Sequence, residues 1–217
     1  MIVVGFVIGI IGDNVSYCYR GECIAITNLL VQNNGAVLGA QAYWQLFTSI
    51  FVTDSFLDAA FNAVAVIVID RFMDNSFNTT RYFATFFGAA ILGNVLTLLM
   101  GPNYASAGAS GGIFGLLAGT FAFTWAQNKK VDGATLGLFL MIFVTSTFIA
   151  NVNWLAHVGG SLGGFIAGPL LYLALKKKMA VFQPTSQSLV LTKLIVWGLI
   201  GLMVVGSIVQ FFLVLYG

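Results

Sequence analysis

The sequence predicts an all-α fold, a polytopic bundle of membrane-spanning helices, and three observations carry that prediction. Only 7% of the 217 residues are charged while 59% are hydrophobic, with a mean hydropathy of +0.96. A water-soluble chain of this length cannot cover its surface with so few charges. The apolar residues fall into seven runs, roughly 1–12, 46–69, 82–100, 109–126, 134–150, 155–175 and 189–216, most of them close to the ~20 residues that a span requires. Finally, the basic residues alternate between loops. Arg71 and Arg81, Lys129 and Lys130, and Lys176, Lys177, Lys178 and Lys193 take every second connection, and only Arg20 lies on the other side. That bias puts the loops near 70–81, 127–133 and 176–188 in the cytoplasm and the segments 13–45, 101–108 and 151–154 outside.

Taken in order, the first run is short for a span and reads either as an incomplete one or as a segment that dips into one leaflet. The outer segment that follows holds Cys18 and Cys23 in Cys-Tyr-Arg-Gly-Glu-Cys. These close a small ring as a disulfide in an oxidising exterior, or stand as two unrelated thiols. Two cysteines and one distant histidine do not supply a tetrahedral metal set, so neither a metal nor a cofactor is expected. The second run reaches full length only by including Asp54 and Asp58. The next four runs reach that length or come close to it, and 189–216 forms an extra span at the C-terminal end. The net charge of +2, without a basic stripe interleaved with aromatics, gives no nucleic-acid partner.

The fourth and sixth runs carry the chemistry. Ser110 heads one in Gly108-Ala109-Ser110-Gly111, and His157, the only histidine, heads the other. Each lies 19 residues before a lysine group, which at 1.5 Å per residue is about 28 Å from the same charged boundary. If both helices run the same way, a nucleophile and its only imidazole base meet at one depth. Gly111, Gly115 and Gly119 form a four-residue stripe on the first helix, and Gly160, Gly164 and Gly168 form one on the second. Such stripes let two backbones approach closely in lipid, and a serine–histidine hydrogen bond of ~2.6–3.2 Å needs that approach. Glycine stripes alone are ordinary helix packing; the serine and histidine at their heads make a site of them. An ionisable group inside a span is costly, and a functional role is the default reading.

These residues also carry a family resemblance. Gly108-Ala109-Ser110-Gly111-Gly112-Ile113-Phe114-Gly115 resembles the Gly-x-Ser-Gly signature of rhomboid intramembrane serine proteases. Ala156-His157-Val158-Gly159-Gly160 is similar to the family's Ala-His-x-Gly-Gly helix, and Trp44-Gln45-Leu46-Phe47-Thr48-Ser49-Ile50-Phe51 to the segment that opens its second span. Arg81-Tyr82-Phe83 fits the start of the third. The resemblance covers roughly residues 44–175. It implies a six-span core with one appended C-terminal span, Ser110 as nucleophile and His157 as general base and then general acid. It also implies an aromatic against the histidine ring, a place that Phe114 fits as well as it fits a plain core position. The family's second span carries His-x-x-x-x-His-x-x-x-Asn, and the three positions here are Thr53, Asp58 and Asn62. Asn62 and the Ser110 backbone N–H are therefore the implied oxyanion donors. Asp58 stands where a donor is expected, although an ionised carboxylate only accepts; it donates when protonated or else points to the outer water. Trp44-Gln45 also lacks the family's usual arginine.

The resulting expectation is a single integral-membrane domain, 1–217, with a rhomboid-like core at 1–176 and a cytoplasmic loop and extra span at 177–217. Its activity is that of a multi-pass serine endopeptidase in the cell membrane, opening to the outer face and cutting single-span membrane proteins near that face. Two other readings stay open. One is a catalytically weak or inactive rhomboid-like protein that binds membrane helices, favoured by Asp58. The other is a small transporter, which would need paired charges on several spans.

Overall fold

The computed structural model describes residues 16–19, 22–53, 56–72, 79–130, 133–147 and 152–181. The runs 1–12 and 189–216, Lys193 and Asp54 lie outside the described residues, as do the side chains of Cys18 and Cys23. The architecture is helical. Five long helices follow one another: α1 (Phe56–Phe72), α2 (Thr79–Thr97), α3 (Ser110–Asn128), α4 (Gly133–Thr147) and α5 (Trp154–Val181). Among the described residues, two segments, Thr79–Met100 and Trp154–Lys176, are long and apolar enough by themselves to cross a membrane.

The described residues before α1 form a folded loop. An antiparallel hairpin pairs Ser16–Tyr19 with Glu22–Ala25 and sets the backbones of Cys18 and Cys23 directly opposite. Short helical turns follow at Ile26–Leu30, Asn34–Gly39 and Gln45–Thr48, with a 3₁₀ turn at Ser49–Phe51. Residues 46–51 therefore belong to this loop, and Val52 and Thr53 separate them from α1. Hydropathy cannot tell the two apart, because the loop is apolar for a different reason. Its phenylalanines pack on α2: Phe47 and Phe51 lie 5.6 and 5.7 Å from the Phe87 ring. The polar side chains of the loop turn inward. Gln32 Nε2 donates to the Asn94 carbonyl at 2.9 Å, Asn34 Nδ2 to the Thr97 carbonyl at 2.8 Å, and the Trp44 indole to the Leu29 carbonyl at 2.9 Å. Buried amides with partners hold one conformation where apolar contacts alone would slide.

The core is a three-helix sandwich of α2, α3 and α5. Added Cβ atoms on Gly160 and Gly164 would run into the backbone carbonyls of Gly111 and Gly115, and one on Gly168 would lie 2.5 Å from the Gly119 carbonyl. The contacts advance by four residues on both helices together, so α3 and α5 run parallel and in register. Helix α2 runs against both. A Cβ on Gly119 would lie 3.2 Å from Thr85, and one on Gly159 would lie 2.7 Å from Gly93. Thr85, Ala89, Gly93 and Thr97 form a third small-residue row, and all four are buried. Outward-facing positions are apolar instead. Leu162, Ile166, Leu170 and Leu173 are exposed along α5, and Leu140, Met141 and Val144 along α4. An apolar outer surface on helices with small-residue interiors is the pattern of a lipid-embedded bundle.

The remaining helix ends shift slightly from the apolar runs. α5 continues past Lys176 to Val181, into residues expected as loop. Lysines and Ala180 are good helix formers, and neither proline nor glycine occurs between Lys176 and Pro184.

Candidate active site

Ser110 is the first residue of α3. Its cap, Ala109, offers no side-chain acceptor, so the cap residue's side chain satisfies none of the first N–H groups of the helix. That end of a helix favours negative charge. The turn into the helix depends on Gly108, whose φ of +131° is a conformation that L-residues rarely adopt. Its N–H donates to the Ser49 carbonyl at 2.9 Å, and Asn94 Nδ2 donates to Ser49 Oγ at 3.0 Å. The approach to Ser110 is thereby tied to the 3₁₀ turn and through it to α2.

His157 lies in the first turn of α5, and Asn153 fixes where that helix begins. Asn153 Oδ1 accepts from the Ala156 N–H at 3.0 Å, while its Nδ2 donates to Thr97 Oγ1 at 2.7 Å and Ser106 Oγ at 2.8 Å. One side chain thus caps the histidine helix, braces it on α2 and joins it to the loop before Ser110. Ser161 Oγ donates to the His157 carbonyl one turn on, at 2.8 Å.

The two side chains meet. His157 Nε2 lies 2.9 Å from Ser110 Oγ, and the imidazole is 4% exposed. With the ring proton on Nδ1, Nε2 accepts the serine hydroxyl, as a general base must. Phe114, one turn after Ser110, packs its ring 4.2 Å from the imidazole at a 35° tilt. Phe143 in turn meets the Phe114 ring edge-on at 5.5 Å. The imidazole is wedged between α3 and its own helix, and its rotation is restricted.

Asp58 and Asn62 lie one turn apart on α1 and so share a face. Asn62 is buried and Asp58 half-buried. One oxygen of the Asp58 carboxylate has partners within the protein. Thr53 Oγ1 donates to Asp58 Oδ2 at 2.9 Å, and a Cβ on Gly108 would sit 3.4 Å from that oxygen and 3.9 Å from Ser110 Oγ. Thr53 and Asp58, which stand at the two histidine positions of the resemblance, are thus bonded to each other beside the serine. The roles of Asn153 and of the α2 row were not read from the sequence. For the row, small residues every fourth position from Thr85 to Thr97 were the available signal. For Asn153, an asparagine three residues before Ala156 is the pattern of a helix cap.

Comparison with known proteins gives the family. A family model described as Rhomboid domain matches residues 40–174. Rhomboid protease GluP of Bacillus subtilis is 30% identical over 136 residues, 60% of this chain and 26% of that protein. Putative rhomboid protease YdcA of the same organism is 30% identical over 142 residues, 63% of this chain and 69% of its own. Rhomboid-like protease 3 of Toxoplasma gondii is 27% identical over 139 residues, 63% of this chain and 53% of its own. The chain spans only about a quarter of the first of these relatives.

Proposed function

The chain belongs to the rhomboid family, and on that premise we propose that it is an intramembrane serine endopeptidase that cuts transmembrane-helix substrates near the outer face with a Ser110–His157 dyad. Membership makes it an integral membrane protein. Our reading of its topology is a six-span core with one further C-terminal span, in the cell membrane, with the site open to the outer side. The observation that carries the proposal is the 2.9 Å approach of His157 Nε2 to Ser110 Oγ at the uncapped head of α3.

In this mechanism Ser110 Oγ attacks a peptide carbonyl of the substrate while His157 Nε2 takes its proton. Negative charge builds on the carbonyl oxygen. The Ser110 N–H and the Asn62 side-chain amide donate to it, and the α3 dipole favours it. The imidazolium then protonates the leaving amine, and an acyl-enzyme remains. Water from the outer side adds to the ester with His157 again as base, and the serine is released. Phe114 keeps the imidazole in the plane that both transfers use. Substrates are single-span helices that unwind readily at their outer end, since a protease acts on an extended strand and helix-weakening residues supply one.

A second reading has one observation in its favour. The Asp58 carboxylate beside Gly108 puts an acceptor near a site that requires donors, as in a rhomboid-like protein that binds helices without cutting them. A serine-reactive fluorophosphonate separates the two. The wild-type protein in liposomes should be labelled at Ser110 and should cleave a model single-span substrate, and Ser110→Ala should do neither. A wild-type protein that neither labels nor cleaves would overturn the protease reading, and retention of single-span helices by that protein would then favour the binder.

The proposed topology has its own measurement. In a background lacking Cys18 and Cys23, a cysteine placed at Asn103 should react with an impermeant thiol reagent added to intact cells. One placed in the 176–188 loop should react only after the membrane is opened. The eight basic residues on one side motivate this expectation, and the opposite labelling pattern reverses the orientation.

A further inference from the structure

We propose that Asp58 selects substrates that carry a lysine or arginine on the residue just before or just after the scissile bond. The proposal rests on the serine-protease reading above and adds a substrate class to it.

The placement of the carboxylate carries the inference. Gly108 has no side chain, and the volume that one would fill is bordered by Asp58 Oδ2 at 3.4 Å and Ser110 Oγ at 3.9 Å. In the proposed binding mode the substrate strand that delivers its carbonyl carbon to Ser110 Oγ runs past Gly108, and the side chains flanking that carbonyl come close to the carboxylate. The Thr53 hydroxyl holds Oδ2 in place at 2.9 Å, so the carboxylate is oriented before substrate arrives. The helix geometry agrees: Asp58 lies one turn from Asn62 on the same face of α1.

A carboxylate here opposes the chemistry of a substrate without charge. The transition state gathers negative charge on the carbonyl oxygen, and a second negative group nearby raises its energy. A cationic substrate side chain beside the carboxylate reverses that sign. It pairs with Asp58 and is also attracted to the oxyanion as that charge develops, so part of the gain appears only in the transition state. The long, flexible stems of lysine and arginine let their charged heads reach the carboxylate from the substrate backbone. Under the proposed orientation the outer ends of membrane helices are poor in these residues, so such a requirement admits a minority of single-span proteins.

The experiment uses the full-length protein in liposomes with one model single-span substrate. The residue on each side of the scissile bond is set in turn to lysine, glutamine or glutamate. At one of the two positions wild type should show kcat/KM at least about tenfold higher for lysine than for glutamine, with glutamate lowest, a tenfold step being about 1.4 kcal/mol. Asp58→Asn should bring the lysine-to-glutamine ratio within about twofold of one, Asp58→Glu should keep the preference, and Asp58→Lys should favour glutamate. Each ratio is taken within one variant, so a change in overall rate does not enter it. Equal wild-type rates for lysine and glutamine at both positions overturn the proposal, and so does a lysine preference that survives in Asp58→Asn. The wild-type series alone decides the matter if the variants do not fold. Failure to cut any substrate, together with no fluorophosphonate labelling of Ser110, overturns the protease reading and the proposal with it, whereas cleavage without charge preference overturns the proposal alone.

Discussion

Ser110→Ala, His157→Ala and the double variant should cut a single-span substrate at one common residual rate, on the order of 10⁴-fold or more below wild type. The common rate is the informative part. With Oγ and Nε2 2.9 Å apart, the imidazole begins the reaction by taking the serine proton, the serine attacks only when that proton leaves, and the later transfers to amine and from water occur only after that attack. Removing either group removes the same step, so the second substitution finds nothing further to remove. Rates measured in liposomes, with circular dichroism showing a helical content near wild type for each variant, would check this. Losses that multiply in the double variant would show that the two residues work independently. Substantial turnover by Ser110→Ala would remove the serine from the mechanism altogether. Asn62→Ala should behave differently. It removes one proposed oxyanion donor and leaves the nucleophile and base in place, which in comparable sites costs about 10²–10³-fold.

The parts of the site that can be read from the chain are those that depend on residue identity at a fixed spacing along a helix. Ser110 and His157 stand out because each heads an apolar run, and because 19 residues separate each from its lysines. The two glycine stripes stand out because glycine is rarely repeated every fourth residue without a close neighbour. The third row, on α2, is less visible, because Thr85, Ala89 and Thr97 are common in any membrane helix and only Gly93 belongs to the glycine pattern. The start of the second span is obscured for a related reason. Hydropathy records that residues 46–51 are apolar, but not that Phe47 and Phe51 spend that character on Phe87 in a folded loop. The polar anchors were beyond reach. Gln32 bonds a carbonyl 62 residues away and Asn34 one 63 residues away, and no local pattern encodes such a pairing. Asp58 lies between these cases. Its position was marked by its place in the second-span motif, but the bond to Thr53 and the approach to Gly108 depend on where α1 meets the loop before α3.

Gly164→Leu should abolish activity without altering any group that reacts. The Gly164 Cα faces α3 so closely that a Cβ there would collide with the Gly115 carbonyl and lie 2.8 Å from the Gly119 nitrogen. These are backbone atoms, and no rotamer change moves them aside. A leucine can be accommodated only if α5 withdraws from α3. His157 rides on α5 two turns nearer its start, so that withdrawal lengthens the 2.9 Å contact to Ser110 Oγ. A shift of about 1 Å in a reacting geometry costs on the order of 10²-fold in rate, and a leucine demands more than that. Gly164→Ala, with its Cβ alone, should fall between leucine and wild type. The control is Gly88→Leu on α2, where nothing lies within 4 Å of the added Cβ; that face looks outward and should tolerate the side chain. Fluorophosphonate labelling rates and thermal unfolding midpoints for the three variants separate the outcomes. A Gly164→Leu protein that still unfolds cooperatively but labels at least 10²-fold more slowly fits helix separation. Labelling at the wild-type rate would mean that α3 and α5 do not hold the dyad together by backbone contact, and the glycine stripes would return to being ordinary packing.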